Sequence, residues 1–220
     1  MNCLHIKGII VFSLLITLHL FAENITSGDI ELVRLKYSCG GDWYNGPSEL
    51  PNLSSFIREN TSLSIFTVGK AVEILSDELF NYPFLFMTGH GNVTFSNEEV
   101  IRLRKYLENG GFMFVNDDYS LDAAFRREIK KVFPQAELVE LPFSHEIYHS
   151  FYNFPNGLPK IHEHDDKKPQ GFGIFHEGRL VLFYAYEADI ADGWDDAQVH
   201  GNSEEKRTAA LKMGTNIIIY

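Results

Sequence analysis

Hydrophobic and polar positions follow two different periods along the first quarter of the chain. Residues 30–37 (IELVRLKY) alternate apolar and polar side chains and are rich in β-forming residues, which predicts a strand. Residues 50–60 place apolar side chains at helical spacing, and their one proline falls in the first turn, where a helix tolerates it. The pattern therefore predicts a strand followed by an amphipathic helix.

The middle of the chain predicts a strand, a capped helix and a second strand. Residues 84–88 and 112–116 are continuous apolar runs of strand length, as expected for strands covered on both faces. Between them, Ser96 and Glu99 form a capping-box pattern, and two glycines follow the helix that it begins. Two strands joined by one helix predict a parallel sheet.

The distal half adds two further helices and a hairpin. Residues 120–133 and 204–219 have helical patterns, whereas residues 171–186 form two β runs joined at a Glu-Gly turn. We therefore expect an α/β fold, a three-layer sandwich with a mostly parallel central sheet and antiparallel additions at one edge. Residues 23–220 are predicted to form one domain without a linker.

The first 22 residues predict a secretory signal peptide. Lys7 precedes an uncharged apolar run that ends near Ala22, and the run is short for a membrane-spanning helix. A buried N-terminal helix and a membrane anchor are the alternatives. Cleavage near Ala22 predicts a secreted protein, periplasmic or extracellular, with no membrane span in the mature chain.

Charge argues against nucleic-acid binding, and the cysteine content argues against an internal disulfide or a cysteine-pair zinc site. The net charge is −11 and no cluster of Lys and Arg stands out, so we expect no nucleic-acid partner. Cys3 would leave with the leader, and Cys39 alone makes neither an internal disulfide nor a cysteine-pair zinc site.

Polar side chains follow three of the predicted strands. Because the carboxyl ends of parallel strands meet at one edge of a sheet, loops that follow them share one rim. The sequence therefore predicts a rim that binds a small polar ligand or a partner segment, with these residues: Asp42, Trp43, His90, Asn116, Asp117 and Asp118.

Each of these residues also has a structural interpretation. Asp117 or Asp118 can cap the following helix, and His90 between two glycines can satisfy a backbone carbonyl. Trp43 can be a core or lid aromatic. Cys39 beside two glycines is a weak candidate nucleophile, since no histidine partner is evident in the sequence.

Further histidines and acids raise the alternative of a metal site. His145 and His149 lie in HEIYH, which has the spacing of a zinc-protease helix, although the surrounding aromatic residues favour a strand or an irregular segment. Residues 162–166 (HEHDD) are predicted to form an exposed loop. Residues 187–196 are acidic but do not fit the positions of a calcium-binding EF-hand loop.

Four stretches together resemble a known bacterial family, domain-of-unknown-function family 4159. They are RLKYSCGGDWYNGPSELPNL, MTGHGNVTFSNEEVIRLRKYLENGGFMFVNDD, HEIYHSFYNFPNGLPKI and the segment from GRLVLFYAYEADIADGW to LKMGTNII. The resemblance implies a flavodoxin-like fold of the class I glutamine-amidotransferase-like superfamily. It also implies partner binding beside membrane-associated complexes of ATPases and adhesion domains.

The resemblance adds positions but no roles. Glutaminases of that superfamily place a cysteine nucleophile in a glycine-flanked turn, whereas the glycine-flanked residue here is His90, so glutamine hydrolysis is not expected. The family-like positions are Gly40, Gly41, Asp42, Trp43, Tyr44, Gly89, His90, Gly91, Asn116, Asp117, Asp118, His145, His149 and Trp194.

Two functions follow from the sequence. The first is an exported, non-catalytic binding module for a small polar ligand or a protein partner, on an amidotransferase-like scaffold that lacks the glutaminase cysteine. The alternative is a metal-dependent hydrolase that uses His90 and Asp117 or Asp118, with His145 or His149, around a divalent ion. The sequence names no other cofactor.

Overall fold

A mixed α/β fold forms the part of the chain that the computed structural model describes, residues 29–162, 164 and 166–220. Its strands are β1 Ile30–Glu31, β2 Val33–Lys36, β3 Ile65–Phe66, β4 Ala71–Glu73, β5 Phe84–Met87, β6 Phe112–Asn116, β7 Val139–Glu140, β8 Gln170–His176 and β9 Arg179–Tyr186. Its α-helices are α1 Glu49–Asn60, α2 Asn97–Glu108, α3 Asp122–Val132, α4 Ala197–His200 and α5 Glu204–Ile219.

Seven strands form the main sheet in the order β4-β2-β5-β6-β9-β8-β7. The first five strands of that order run parallel to one another, whereas β8 and β7 are added antiparallel at one edge. The mostly parallel sheet with antiparallel additions is therefore confirmed. β1 and β3 form a separate two-stranded parallel sheet.

The two faces of the main sheet are covered by different helices. Leu85 and Met113 belong to one buried cluster, together with apolar side chains of α2 and α3. Phe86 and Phe114 point to the opposite face, where they stack at 5.8 Å and join a second cluster with α1 and α5. Alternation along each strand produces these two cores, an arrangement compatible with three layers.

The structure contains the elements that most local sequence signals predict. The capping box begins α2, because Ser96 Oγ accepts from Glu99 N and Glu99 Oε2 accepts from Ser96 N, at 3.2 Å and 2.7 Å. The hairpin of β8 and β9 turns at the two residues between His176 and Arg179.

One predicted strand is divided. Residues 30–37 were expected as a single strand, but Leu32 separates β1 from β2. The Leu32 amide donates to the Phe66 carbonyl at 2.8 Å, so the start of the segment pairs with β3 and its remainder pairs inside the main sheet.

The order of the main sheet reverses beside β2. The chain passes from β2 outward to β4 and then returns to β5 on the other side of β2. In open α/β sheets the crevice at such a reversal, at the carboxyl ends of the strands, is where ligands bind. The loops that follow β2 and β5 therefore lie where a binding site is expected.

The predicted signal peptide, residues 1–22, lies outside the described residues. Among the residues that are described, no helix has both the length and the apolar character that crossing a bilayer requires.

Candidate metal centre

Three side chains from three loops meet at the carboxyl edge of the sheet, and we call Asp42, His90 and Asp118 the rim trio. Asp42 follows β2, His90 follows β5 and Asp118 follows β6. His90 Nδ1 lies 3.0 Å from Asp42 Oδ2 and 3.1 Å from Asp118 Oδ2. One imidazole nitrogen thus faces two carboxylate oxygens.

The turn at Gly89 allows this approach. Gly89 has a φ of 135°, and a Cβ at this position would meet Tyr37 Oη and lie 3.1 Å from Asp42 Oδ1. The His90 amide donates to Asp42 Oδ1 at 2.5 Å, which fixes the carboxylate and leaves Oδ2 toward the imidazole. Only a residue without a side chain fits this backbone at this separation.

A buried arginine organises the loop that carries Asp42. The Arg34 guanidinium donates to the carbonyls of Trp43 and Asn45 and pairs with Glu49 Oε2 at 2.6 Å. Complete burial raises the pKa of Glu49 well above its usual value, against the lowering effect of Arg34. Asn45 Nδ2 in turn donates to Asp118 Oδ2 at 2.9 Å, so the loop also orients a second member of the rim trio.

A second group, the histidine trio, consists of His162, His164 and Asp189. His164 Nε2 lies 2.9 Å and His162 Nδ1 lies 3.7 Å from the same oxygen, Asp189 Oδ2. Asn116 Nδ2 donates to the other oxygen, Asp189 Oδ1, at 3.1 Å. The Tyr119 ring packs on the His164 imidazole at 5.1 Å. The orientations of the Asp189 carboxylate and the His164 imidazole are therefore fixed by neighbouring side chains.

The carboxylate trio, Asp118, Asp189 and Asp192, connects the other two. One oxygen of each carboxylate lies within 4.8 Å of the others, and all three residues are buried. Asp118 also belongs to the rim trio and Asp189 to the histidine trio. His162 Nδ1 and His200 Nδ1 each lie 3.1 Å from Asp192 Oδ2.

Burial and like charge shape the proton affinities of these carboxylates. Burial, followed by the charges of Asp189 and Asp118, raises the pKa of Asp192 to about 10. Burial and the charge of Asp189 also raise the pKa of Asp118. Although burial opposes it, hydrogen bonds from His162, His164 and Asn116 lower the pKa of Asp189.

Asp42 and His164 take the charged forms more readily than their free counterparts. Partial burial opposes the shift at Asp42, but hydrogen bonds from His90 lower its pKa. The hydrogen bond to Asp189 raises the pKa of His164 against the opposing effect of burial. Hydrogen bonds from neighbouring imidazoles thus favour the ionised forms of Asp42 and Asp189, whereas burial and like charges favour the protonated form of Asp192.

The spacing of these donors is close to that of the ligands of a metal ion. Atoms that bind one tetrahedral ion at about 2.0–2.2 Å lie roughly 3.3–3.6 Å from one another. The nitrogen-to-oxygen distances within the rim trio and the histidine trio run from 2.9 to 3.7 Å, and the three shortest are hydrogen-bond separations that would lengthen by a few tenths of an ångström around an ion. Imidazole and carboxylate donors together suit first-row ions such as Zn²⁺, Mn²⁺ and Fe²⁺.

Two predicted rim residues serve the scaffold. Asn116 is fully buried, and besides its bond to Asp189 it accepts from the Ala191 amide at 3.2 Å. Asp117 Oδ1 accepts from the Leu121 amide at 3.1 Å, at the start of α3. Burial, followed by the charge of Asp122, raises the pKa of Asp117 to about 6.

The predicted aromatic residues take different places. Trp43 is partly buried against the core on the α2 and α3 face, and Tyr44 is 65% exposed with its ring edge-on to Trp43 at 5.6 Å. Trp194 is fully buried against Phe86 and donates to the Ala210 carbonyl at 2.9 Å. Trp194 therefore anchors the loop that carries Asp192 and is not exposed to a ligand.

His145 and His149 are not brought to the rim. They flank a single 3₁₀ turn, Glu146–Tyr148, instead of sharing the face of an α-helix as a zinc-protease motif requires. His145 packs on Phe175, which pairs with Leu180 near the start of β9. This contact therefore lies at the amino ends of the parallel strands, opposite the rim. His149 uses both ring nitrogens locally, with the Phe143 carbonyl and Asn153 Oδ1.

Sequence patterns do not predict that Asp189, Asp192, His162 and His164 share the site. The loop after β9 is not one of the predicted rim loops, because β9 is predicted only as an antiparallel strand. In the sheet, β9 also runs parallel to β6, so its carboxyl end joins the rim. The acidic residues that follow an apolar strand there were the available signal.

No curated protein matches the chain. The family model described as "Domain of unknown function (DUF4159)" matches residues 31–220, a stretch that includes all three trios. The chain therefore belongs to this family, DUF4159.

Proposed function

We propose that the rim trio binds a divalent transition-metal ion and that the protein is a metal-dependent hydrolase. The observation that carries the proposal is the placement of His90 Nδ1 at 3.0 and 3.1 Å from the oxygens of Asp42 and Asp118. These three donors come from three separate loops at the reversal point of the sheet, where α/β proteins bind ligands.

The exposure of the trio favours a catalytic ion over a purely structural one. The His90 side chain is 45% exposed and that of Asp42 is 31% exposed, whereas that of Asp118 is almost completely buried. An ion held by three protein ligands on such a surface keeps a coordination position open to water. Such an ion would lower the pKa of a bound water molecule toward neutrality, so that a metal-bound hydroxide would be available as the nucleophile.

We also propose the flavodoxin-like scaffold that the sequence suggested. The five parallel strands, numbered in chain order among themselves, have the order 2-1-3-4-5 that flavodoxin-like proteins share. Placement in the class I amidotransferase-like superfamily is part of this proposal. The glycine-flanked turn carries His90, which supports metal chemistry in place of glutamine hydrolysis.

Export and partner binding complete the proposal for the cellular setting. The leader pattern of residues 1–22 supports export to the periplasm or the exterior. A second candidate function is a non-catalytic module for a polar ligand or protein partner, without nucleic acid. It is favoured by Tyr44, which is 65% exposed on the loop that carries Asp42.

Elemental mass spectrometry on untagged protein, combined with an ester assay, tests the proposal. The assay uses 4-nitrophenyl phosphate, bis(4-nitrophenyl) phosphate and 4-nitrophenyl acetate, before and after chelation and after addition of Zn²⁺ or Mn²⁺. We expect metal and hydrolysis in the wild type, loss of hydrolysis and of the ion at the rim trio in His90→Ala, and no change in His149→Ala.

Bound metal without hydrolysis of any ester would favour the binding module. A folded protein that neither contains nor takes up metal would overturn the proposal.

A further inference from the structure

We propose that the carboxyl edge of the sheet holds two divalent ions, the second bound by the histidine trio, with Asp118 between the ions and Asp189 beside it. The inference rests on the proposed function, since the first ion is the one assigned to the rim trio. It goes further by assigning roles to His162, His164 and Asp189.

The histidine trio presents its donors toward one point. His164 Nε2 and His162 Nδ1 lie 2.9 Å and 3.7 Å from Asp189 Oδ2. Asp189 is fully buried, and Asn116 occupies its other oxygen, so Oδ2 is the atom directed at the two imidazoles. Such fixed orientation by hydrogen-bonded neighbours is what metal-ligating residues commonly show.

The two ion positions are close enough to share ligands. Each outer trio contributes one member to the carboxylate trio, whose oxygens lie within 4.8 Å of one another. Paired ions in two-metal hydrolytic sites lie about 3.5–4 Å apart, a separation that one carboxylate spans through its two oxygens. Asp118 is therefore placed to bridge a pair of ions, whereas Asp189, whose Oδ1 accepts from Asn116, is placed to bind beside it through Oδ2.

Charge at the site also favours two ions. The carboxylates of Asp42, Asp118 and Asp189 carry three formal negative charges when ionised, and Asp192 adds a fourth when it releases its proton. Buried carboxylates at this separation repel one another unless a proton or a cation lies between them. Two divalent ions supply four positive charges, so they would balance the four carboxylates and take the place of the proton on Asp192.

A pair of ions would widen the chemistry available at this edge. One ion can activate water while the other stabilises the charge that develops on the oxygen of the leaving group. The His162 side chain is 53% exposed, so the second position, like the first, is reachable from solvent.

Titration of chelator-treated protein with Mn²⁺, followed by elemental analysis and electron paramagnetic resonance, tests the inference. We expect two ions per wild-type chain and one ion in each of His164→Ala, His162→Ala and His90→Ala. The wild-type resonance should lose the hyperfine pattern of an isolated Mn²⁺ as the second ion enters. His149→Ala should behave as the wild type, and circular dichroism should show that all variants fold.

The failures are distinguishable. One ion in the wild type, retained in His162→Ala and His164→Ala but lost in His90→Ala, would overturn the second site and leave the proposed function intact. No bound ion in the wild type would overturn both.

Discussion

The imidazole of His90 and the carboxylate of Asp118 face each other across the ends of two adjacent parallel strands, with Nδ1 3.1 Å from Oδ2. Asp118 also lies within 4.8 Å of two further buried carboxylates, Asp189 and Asp192. The cation that we propose at this site would account for both the contact and the clustering of the carboxylates.

Replacing His90 should lower the metal affinity of the rim trio more than replacing a histidine elsewhere does. Loss of a residue that only orients a ligand typically costs 10–100-fold in metal affinity, so His90→Ala should cost at least about 100-fold. The matched control is His149→Ala, because His149 bonds only to its own segment. Calorimetric titration with Zn²⁺ measures both, and equal affinities in the two variants would contradict the assignment.

Replacing Asp192 should stabilise the metal-free protein and weaken its response to metal. The neutral amide replaces a carboxyl group whose ionised form is disfavoured by burial and by two like charges. We expect Asp192→Asn to melt higher than the wild type in chelator at pH 8, and to gain less in melting temperature when Zn²⁺ is added. Asp77→Asn, at a fully exposed acid, is the control and should change neither value.

The stabilisation by Asp192→Asn should depend on pH. Unfolded Asp192 loses its proton near pH 4, whereas the folded chain keeps it to about pH 10. The folded state therefore binds more protons between these values, and this group lowers the free energy of unfolding as pH rises. The difference between variant and wild type should vanish near pH 4 and grow toward pH 8. A constant difference across that range would contradict the account.

Replacing Arg34 should affect both the stability of the fold and the affinity of the metal site. Arg34→Met leaves Glu49 buried without its partner, which should cost about 3–5 kcal/mol of the free energy of unfolding. Arg34→Met combined with Glu49→Leu should recover part of that loss in urea unfolding. Zn²⁺ affinity should stay reduced in both variants, because the backbone contacts that hold the loop of Asp42 are missing. Full recovery of affinity in the double variant would show that Arg34 does not position the loop.

Alanine substitutions at two glycines of the same turn distinguish the effect of backbone strain from the effect of a steric clash at the site. Gly89 and Gly91 both have positive φ, so alanine at either should cost about 1–3 kcal/mol in stability. A Cβ at Gly91 meets nothing within 4 Å, whereas one at Gly89 meets Tyr37 and Asp42. Gly89→Ala should therefore destabilise more and also lower Zn²⁺ affinity, while Gly91→Ala should leave affinity near that of the wild type. Equal affinities would contradict the role given to Gly89.

The fold was largely predictable because its signals are local. The capping box of Ser96 and Glu99 and the apolar run of Phe112–Asn116 lie within a few residues of the elements they specify. The start of the chain's first predicted strand was harder to assign, because the division at Leu32 depends on pairing with a segment more than 30 residues away.

The site was only partly predictable, because part of it depends on a long-range strand pairing. Asp42, His90 and Asp118 each follow a strand whose parallel direction could be inferred from the sequence. Asp189 and Asp192 follow β9, whose pairing with β6 is a long-range contact that no local pattern encodes. The HEIYH spacing matched a motif, but its residues form a short 3₁₀ turn at the other edge, since spacing alone does not make a helix.

Anomalous diffraction from crystals soaked with Zn²⁺, collected on both sides of the zinc absorption edge, tests the central claim most directly. The account predicts a strong anomalous peak about 2.0–2.2 Å from His90 Nδ1, with Asp42 and Asp118 oxygens as further ligands. A zinc-soaked crystal in which these three side chains keep their present contacts and no anomalous peak lies among them would contradict it.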